Sequence, residues 1–224
     1  MEISMITISS APVAPLLDRL FSEADATSPL ASPAFEALST EDRVALMRSK
    51  DDYLALYSDL KDFALPVSRE TGQLLYLLVR ATRARSIVEF GTSFGLSTLH
   101  LAAALRDNGG GRLITSEFEP SKVAIAKANI AAGGLSDLVE LREGDALETF
   151  KHDLPETIDL LLLDGAKSLY SDVLGLVESR LRSGAVIVAD NADYCPDYLE
   201  RVGSVASGYY TMSFTDDVEL SIRL

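Results

Sequence analysis

The chain has 224 residues, 47% of them hydrophobic, enough for one α/β domain with a sizeable core and a terminal extension. Lys and Arg total 20 against 34 Asp and Glu, a net charge of −14, so the average field repels a phosphate backbone and argues against a nucleic-acid partner. Every apolar run is far shorter than the ~20 residues of a membrane-spanning helix. No basic segment leads Met1-Glu2-Ile3-Ser4 into an apolar stretch, and the single Cys195 makes no internal disulfide, so a cytoplasmic chain with no membrane partner is expected.

Residues 1–64 are rich in Ser, Ala, Pro and acids between short amphipathic pieces, and read as a helical N-terminal extension, a cover or dimer contact and not an independent domain. Within it, Ser39-Thr40-Glu41-Asp42 is an S/T-x-x-D/E helix start. Residues 65–224 alternate regularly. Ser68 caps a helix through Leu74, Leu75, Leu78 and Val79, and Ser86–Phe90 is a buried strand followed by a glycine turn and a helix around Leu99–Leu105. Leu113–Ser116 is a second strand, Pro120 opens the next helix, and Gly133-Gly134 ends it. Leu138–Leu141, Ile158–Leu163 and Ala185–Ala189 are three more strands, the fourth of the series apolar enough to be buried on both faces. Alternation of this kind predicts a doubly wound, mostly parallel α/β sheet. Tyr209–Phe214 and Val218–Arg223, joined by Thr215-Asp216-Asp217, predict a closing antiparallel hairpin.

In such sheets ligands lie outside the carboxyl ends of the strands. The first strand ends in Glu89-Phe90-Gly91-Thr92-Ser93-Phe94-Gly95-Leu96-Ser97, where Gly91 and Gly95 let backbone approach a ligand. The spacing is G-x-x-x-G and not the dinucleotide G-x-G-x-x-G, and a plain structural turn explains two glycines nearly as well. Glu117, just after the second strand, is placed to accept hydrogen bonds from a ribose. Gly144-Asp145-Ala146 follows the third strand, with adenine contact and a helix cap at Asp145 equally open.

The fourth and fifth strands end in Asp164-Gly165-Ala166-Lys167 and Asp190-Asn191. Three oxygen donors on one sheet edge suit a hard cation such as Mg²⁺ or Mn²⁺, although strand-end Asp and Asn often only cap loops. Lys167 lies within reach of the same cleft, where a nearby cation would depress its pKa and make it a proton acceptor. His100 reads as structural, His152 as solvated, Tyr170 as core or site with equal weight, and Cys195 as having no catalytic partner. Ser97 lacks the context of a hydrolase nucleophile.

Together with Val67-Ser68-Arg69-Glu70-Thr71-Gly72-Gln73, these motifs resemble, from about residue 64 to the C-terminus, the class I metal-dependent O-methyltransferases, which include catechol and caffeoyl-CoA O-methyltransferases. The resemblance implies an enzyme of Rossmann-like fold that transfers the methyl group of S-adenosylmethionine to a small aromatic or vicinal-diol acceptor, usually as a homodimer. It implies Gly91, Ser93 and Ser97 along the methionine half of the cofactor with Val67 near it. Glu117 falls on the ribose and Ala146 on the adenine, with Glu89, Gly95, Gly144, Asp145 and Asp164 completing the cofactor set. It further implies Asp164, Asp190 and Asn191 on the metal and Lys167 as base. Catechol relatives carry tryptophan where this chain has Ala166, which implies a reshaped acceptor pocket, and no acid in Tyr209–Phe214 matches the one that holds a second catechol hydroxyl. A nicotinamide oxidoreductase on a related fold shares the ribose acid but not the glycine pattern; a non-catalytic cofactor-binding protein is the third reading.

Overall fold

The computed structural model describes residues 6–224, so the reading of Met1–Ser4 falls outside the described residues. The N-terminal region folds into α1 (Val13–Asp25), α2 (Pro33–Glu36), α3 (Thr40–Met47) and α4 (Tyr53–Asp59). Ser39 caps α3 by accepting the Asp42 N–H at 3.1 Å, as the motif predicts. The regular part then runs α5 (Arg69–Thr82), β1 (Ser86–Phe90), α6 (Leu96–Asp107), β2 (Arg112–Glu117), α7 (Pro120–Ala132) and β3 (Val139–Glu143). It continues through α8 (Ala146–Thr149), β4 (Ile158–Leu163), α9 (Tyr170–Val177), β5 (Leu181–Ala189), α10 (Pro196–Val202), β6 (Tyr209–Ser213) and β7 (Glu219–Arg223). Among the described residues no helix is long and apolar enough to cross a membrane.

The seven strands form one sheet in the order β3-β2-β1-β4-β5-β7-β6. The first five are parallel, and the hairpin β6–β7 adds antiparallel to β5. This is the doubly wound sheet with a closing hairpin that the alternation predicts. β5 begins four residues earlier than its apolar run, because Leu181 pairs with Ile158 before a register shift. Gly184, at φ +77°, carries the chain through that irregularity.

Side chains alternate across β4: Leu160 and Leu162 join a core beneath α1, α5, α6 and α7, while Leu161 and Leu163 join a second core beneath α9 and α10. The sheet is therefore covered on both faces. α1 packs into the first core through Leu16, Leu17, Leu20 and Phe21. Further along the N-terminal region, Phe35, Leu56 and Leu60 make a small third cluster above the strand ends.

The α5–α6 packing depends on Gly72. His100 is buried, its Nδ1 2.8 Å from the Leu96 carbonyl and its ring edge-on to Phe21 at 6.0 Å. A Cβ at position 72 would sit 2.7 Å from His100 Cε1. Gly72→Ala is expected to destabilise by about 1–3 kcal/mol through overpacking, seen as a drop of several degrees in Tm by calorimetry.

Candidate active site

Three backbone hydrogen bonds carry the parallel ladder one residue past the strands and line up the functional positions. Asp164 N–H donates to the Phe90 carbonyl (2.8 Å), Asp190 N–H to Leu163 (2.9 Å) and Gly144 N–H to Glu117 (2.9 Å). Gly91, Glu117, Gly144, Asp164 and Asp190 thus share one sheet edge, with the strand order reversing between β1 and β4.

Two cavities open along that edge. The first is lined by Gly91, Ser93, Glu117, Gly144, Asp145, Ala146 and Asp164, all seven predicted from the sequence for a cofactor. Gly91 has φ +100°, and a Cβ there would lie 2.6 Å from the Asp164 carbonyl. Glu117 receives the Ser93 N–H on Oε2 (2.8 Å) and the Glu119 N–H on Oε1 (3.0 Å), which fixes the carboxylate at the cleft. Asp145 caps α8 through the Leu147 N–H at 2.9 Å while its other oxygen accepts from Tyr53 Oη at 2.6 Å. The two readings left open for Asp145 therefore coexist geometrically, since it caps a helix and still faces the cleft.

Val67, Glu89, Gly95 and Ser97 do not line either large cavity. Glu89 is fully buried and accepts from Ser97 Oγ and Thr98 Oγ1, both at 2.6 Å, clamping β1 to the start of α6. Gly95, at φ +87°, is the left-handed residue that starts α6, and Val67 is buried behind the wall. Burial raises the Glu89 carboxyl to about 7, against the opposing hydrogen bonds from Ser97 and Thr98. A raised acid pKa favours the protonated fold: the stability it confers is complete below the ordinary 4.5 and is lost as pH rises through about 7. Glu89→Gln is therefore expected to gain about 3 kcal/mol relative to the parent between pH 4.5 and pH 8. Denaturant melts of both proteins across that range measure it.

The second cavity, about 600 Å³, has Asp164, Lys167, Asp190, Asn191 and Tyr194 on its floor. Leu30, Phe35, Arg43 and Met47 of the N-terminal region roof it. Lys167 Nζ donates to Asp164 Oδ1 (2.8 Å) and to Tyr170 Oη (3.0 Å), whose hydroxyl donates to the Asp190 carbonyl at 2.6 Å. Burial pushes Asp190 up to about 7, reinforced by the Asp164 charge, and burial raises Asp164 against the pull of Lys167. Burial alone would lower Lys167, but Asp164, Tyr170, Tyr57 and Asp190 together outweigh it and hold the amine well above the ordinary lysine value. The polypeptide by itself thus keeps an ammonium here, the reverse of the depressed amine expected beside a cation. Asn191, at φ +52°, turns Nδ2 toward Asp217 Oδ2 at 3.4 Å. Among the described residues no three His, Cys, Asp or Glu side chains gather as a metal cluster, so the triad rests on two carboxylates and the Asn191 amide.

Residues the sequence reading left aside also reach the site. Tyr53 and Tyr57, one turn apart on α4, both line the first cavity, and Tyr57 lies 3.4 Å through Oη from the Gly165 carbonyl and borders the second cavity as well. The i, i+4 spacing of two tyrosines was the available signal. Ala166 lines the first cavity and not the second, so the loss of an aromatic ring there bears on the cofactor side, where Tyr53 and Tyr57 supply aromatic wall. Lys122 is the other unforeseen residue. Cys195 is buried, with its thiol pushed up to about 12 chiefly by burial, in keeping with an inert cysteine.

A family profile described as a methyltransferase domain matches residues 88–192. The chain is 33% identical over 151 residues to catechol O-methyltransferase of Sus scrofa, covering 63% of this chain and 80% of that one. It is 35% identical over 147 residues to catechol O-methyltransferase of Niastella koreensis, covering 63% and 66%. The chain spans less than two thirds of the length of several such relatives, 62% for that of Danio rerio and 57% for that of Mycobacterium tuberculosis. Among solved structures, an O-methyltransferase from Streptomyces achromogenes involved in tomaymycin synthesis, in complex with S-adenosylmethionine, matches with a TM-score of 0.65 and 25% identity over 92% of this chain and 98% of that one. With this sheet order and this strand-end cleft, the chain belongs to the class I S-adenosylmethionine-dependent O-methyltransferase family.

Proposed function

We propose that the protein transfers the methyl group of S-adenosylmethionine to a hydroxyl of a small aromatic or vicinal-diol acceptor, held by a divalent cation at Asp164, Asp190 and Asn191. The observation that carries this reading is the facing pair of buried carboxyls, Asp164 and Asp190, at the border of the two cavities. Lys167 pairs with Asp164 at 2.8 Å, but among the described residues no ion pair reaches Asp190, so the second buried carboxyl is costly unless a cation joins the two, and hard oxygen donors suit Mg²⁺ or Mn²⁺. The Asn191 amide fits the same set, since its nitrogen is turned to Asp217 and its oxygen is left to coordinate.

The cofactor would lie along the first cavity, adenine by Asp145 and Ala146, ribose at Glu117 and methionine toward Gly91 and Ser93. That places the sulfonium beside Asp164, the residue both cavities share. A cation held by Asp164, Asp190 and Asn191 would supply Lewis-acid chemistry that acidifies the acceptor hydroxyl, and its charge would lower the pKa of the neighbouring Lys167 amine. Lys167 would first release its ammonium proton to solvent and then, as the neutral amine, accept the hydroxyl proton, with Tyr170 keeping the Nζ oriented through its 3.0 Å hydrogen bond. The oxygen forms a bond to the methyl carbon as the carbon–sulfur bond breaks, leaving S-adenosylhomocysteine. Positioning of the two substrates supplies much of the acceleration.

Helices α2–α4 serve as the cover of residues 1–64, a lid over the acceptor and, through α4, over the cofactor. The homodimer belongs to the same reading; exposed Tyr210, Met212 and Ile222 on the closing hairpin offer apolar surface that a second copy would cover, and sedimentation equilibrium measures it. Calorimetric titration with S-adenosylhomocysteine and with NAD tests the cofactor. One-to-one binding of S-adenosylhomocysteine and none of NAD is expected; tight binding of NAD alone overturns the reading.

A further inference from the structure

Lys122 is 3% exposed, on the first turn of α7, yet it lines the first cavity. Its Nζ donates to Ser93 Oγ at 3.3 Å, and Ser93 Oγ in turn donates to the Ala64 carbonyl. Among the described residues no carboxylate lies within 4 Å of this ammonium; Glu117, Glu119, Asp164 and Asp62 act on it only as more distant charges. The Phe94 ring, 5.9 Å away, supplies a weak further contact. A buried ammonium with one neutral hydrogen-bond partner is an expensive group, and such groups are normally paired. Burial accordingly pulls its pKa down.

The geometry points to Lys122 as the counter-charge for the carboxylate of the cofactor's methionine moiety, a role that rests on the cofactor reading above. Two facts fix the choice. The carboxylate is the single anionic group of S-adenosylmethionine, whose sulfonium and amine are both cationic. The position also fits: the sheet order β3-β2-β1 sets Ala146, Glu117 and Gly91 in a row, and Lys122 meets that row at Ser93, on the same β1 turn as Gly91. Ser93 thus links the two halves, with its N–H on Glu117 and its hydroxyl receiving Lys122. A lysine that merely neutralised Glu117 would act on the ribose end and be indifferent to the amino-acid tail.

Calorimetric titration of S-adenosylhomocysteine and of its decarboxylated analogue separates these roles. The parent protein is expected to prefer S-adenosylhomocysteine by about tenfold or more, the scale of a charge-assisted hydrogen bond. Lys122→Gln erases that preference while still binding the analogue, and Lys122→Arg retains part of it. A preference unchanged in Lys122→Gln overturns the assignment, as does a parent protein that never distinguishes the two ligands, a result that needs no variant to fold. A parent protein that binds neither ligand overturns the cofactor reading itself, and the assignment with it.

Discussion

Asp190→Ala is expected to lower kcat for methyl transfer by about 10²–10³-fold or more, the scale set by removing one preorganised electrostatic group from a water-excluded site. S-adenosylhomocysteine affinity should stay within about twofold, because Asp190 lines the acceptor cavity and not the cofactor one. The same substitution should raise Tm in metal-free buffer. Asp190 is 7% exposed and pushed up to about 7 by burial and then by the Asp164 charge, so its ionised form is a cost to the fold. Removing it relieves that cost at pH 8 and leaves less to relieve at pH 5, where the native carboxyl is already protonated. Higher stability with lost turnover is the signature of a group kept for function. Loss of both together would mark Asp190 as structural. Steady-state kinetics, titration and melting of one variant supply all three readouts.

The second large effect is at the glycine turn. Gly91→Ala should abolish measurable binding of S-adenosylhomocysteine and cost several kcal/mol of stability, as strained backbone and overpacking add. At φ +100° its Cβ would lie 2.6 Å from the Asp164 carbonyl and the Gly165 nitrogen, both main-chain atoms of the adjoining strand end, which have no rotamer to escape into. Gly95→Ala is the control. It carries a similar φ of +87°, but its Cβ would find nothing nearer than the Ala126 methyl at 3.7 Å. Only the conformational penalty remains there, about 1–2 kcal/mol, and cofactor affinity should change little. Equal effects at both positions would show that backbone conformation, not the close approach of β1 to β4, governs the turn.

The contrast between these glycines also shows what the sequence carries and what it withholds. Strands such as Ile158–Leu163 are legible because a short apolar run buried on both faces leaves few other arrangements. Helix starts at Ser39, Ser68 and Pro120 are legible because capping is local chemistry. Strand ends are legible as site positions because a parallel sheet puts them all on one edge. The early start of β5 at Leu181 depends on a long-range partner, Ile158, and leaves no local mark.

Which side of a wall a residue faces is the harder question. Glu89 and Ser97 sit within the cofactor motif but bond to each other, 2.6 Å apart, behind the cleft. Lys122 lies in a segment, Glu119-Pro120-Ser121-Lys122, that reads as a helix start, and only the fold shows its amine turned inward. The roof was visible as helical and amphipathic, yet its cavity depends on tertiary placement. Tyr53 reaching Asp145 spans 92 positions of sequence, and no local pattern encodes such a contact.

The most direct test of the central claim is transfer of a trideuteromethyl group from labelled S-adenosylmethionine to a panel of catechols and hydroxylated natural products, with Mg²⁺ and then with EDTA, read by mass spectrometry. The account predicts a labelled methyl ether on an acceptor oxygen with Mg²⁺ and loss of that product in EDTA. A labelled product formed equally well in EDTA would contradict the cation site at Asp164, Asp190 and Asn191 while leaving methyl transfer standing, and label on no acceptor beside intact cofactor binding would contradict the transferase itself.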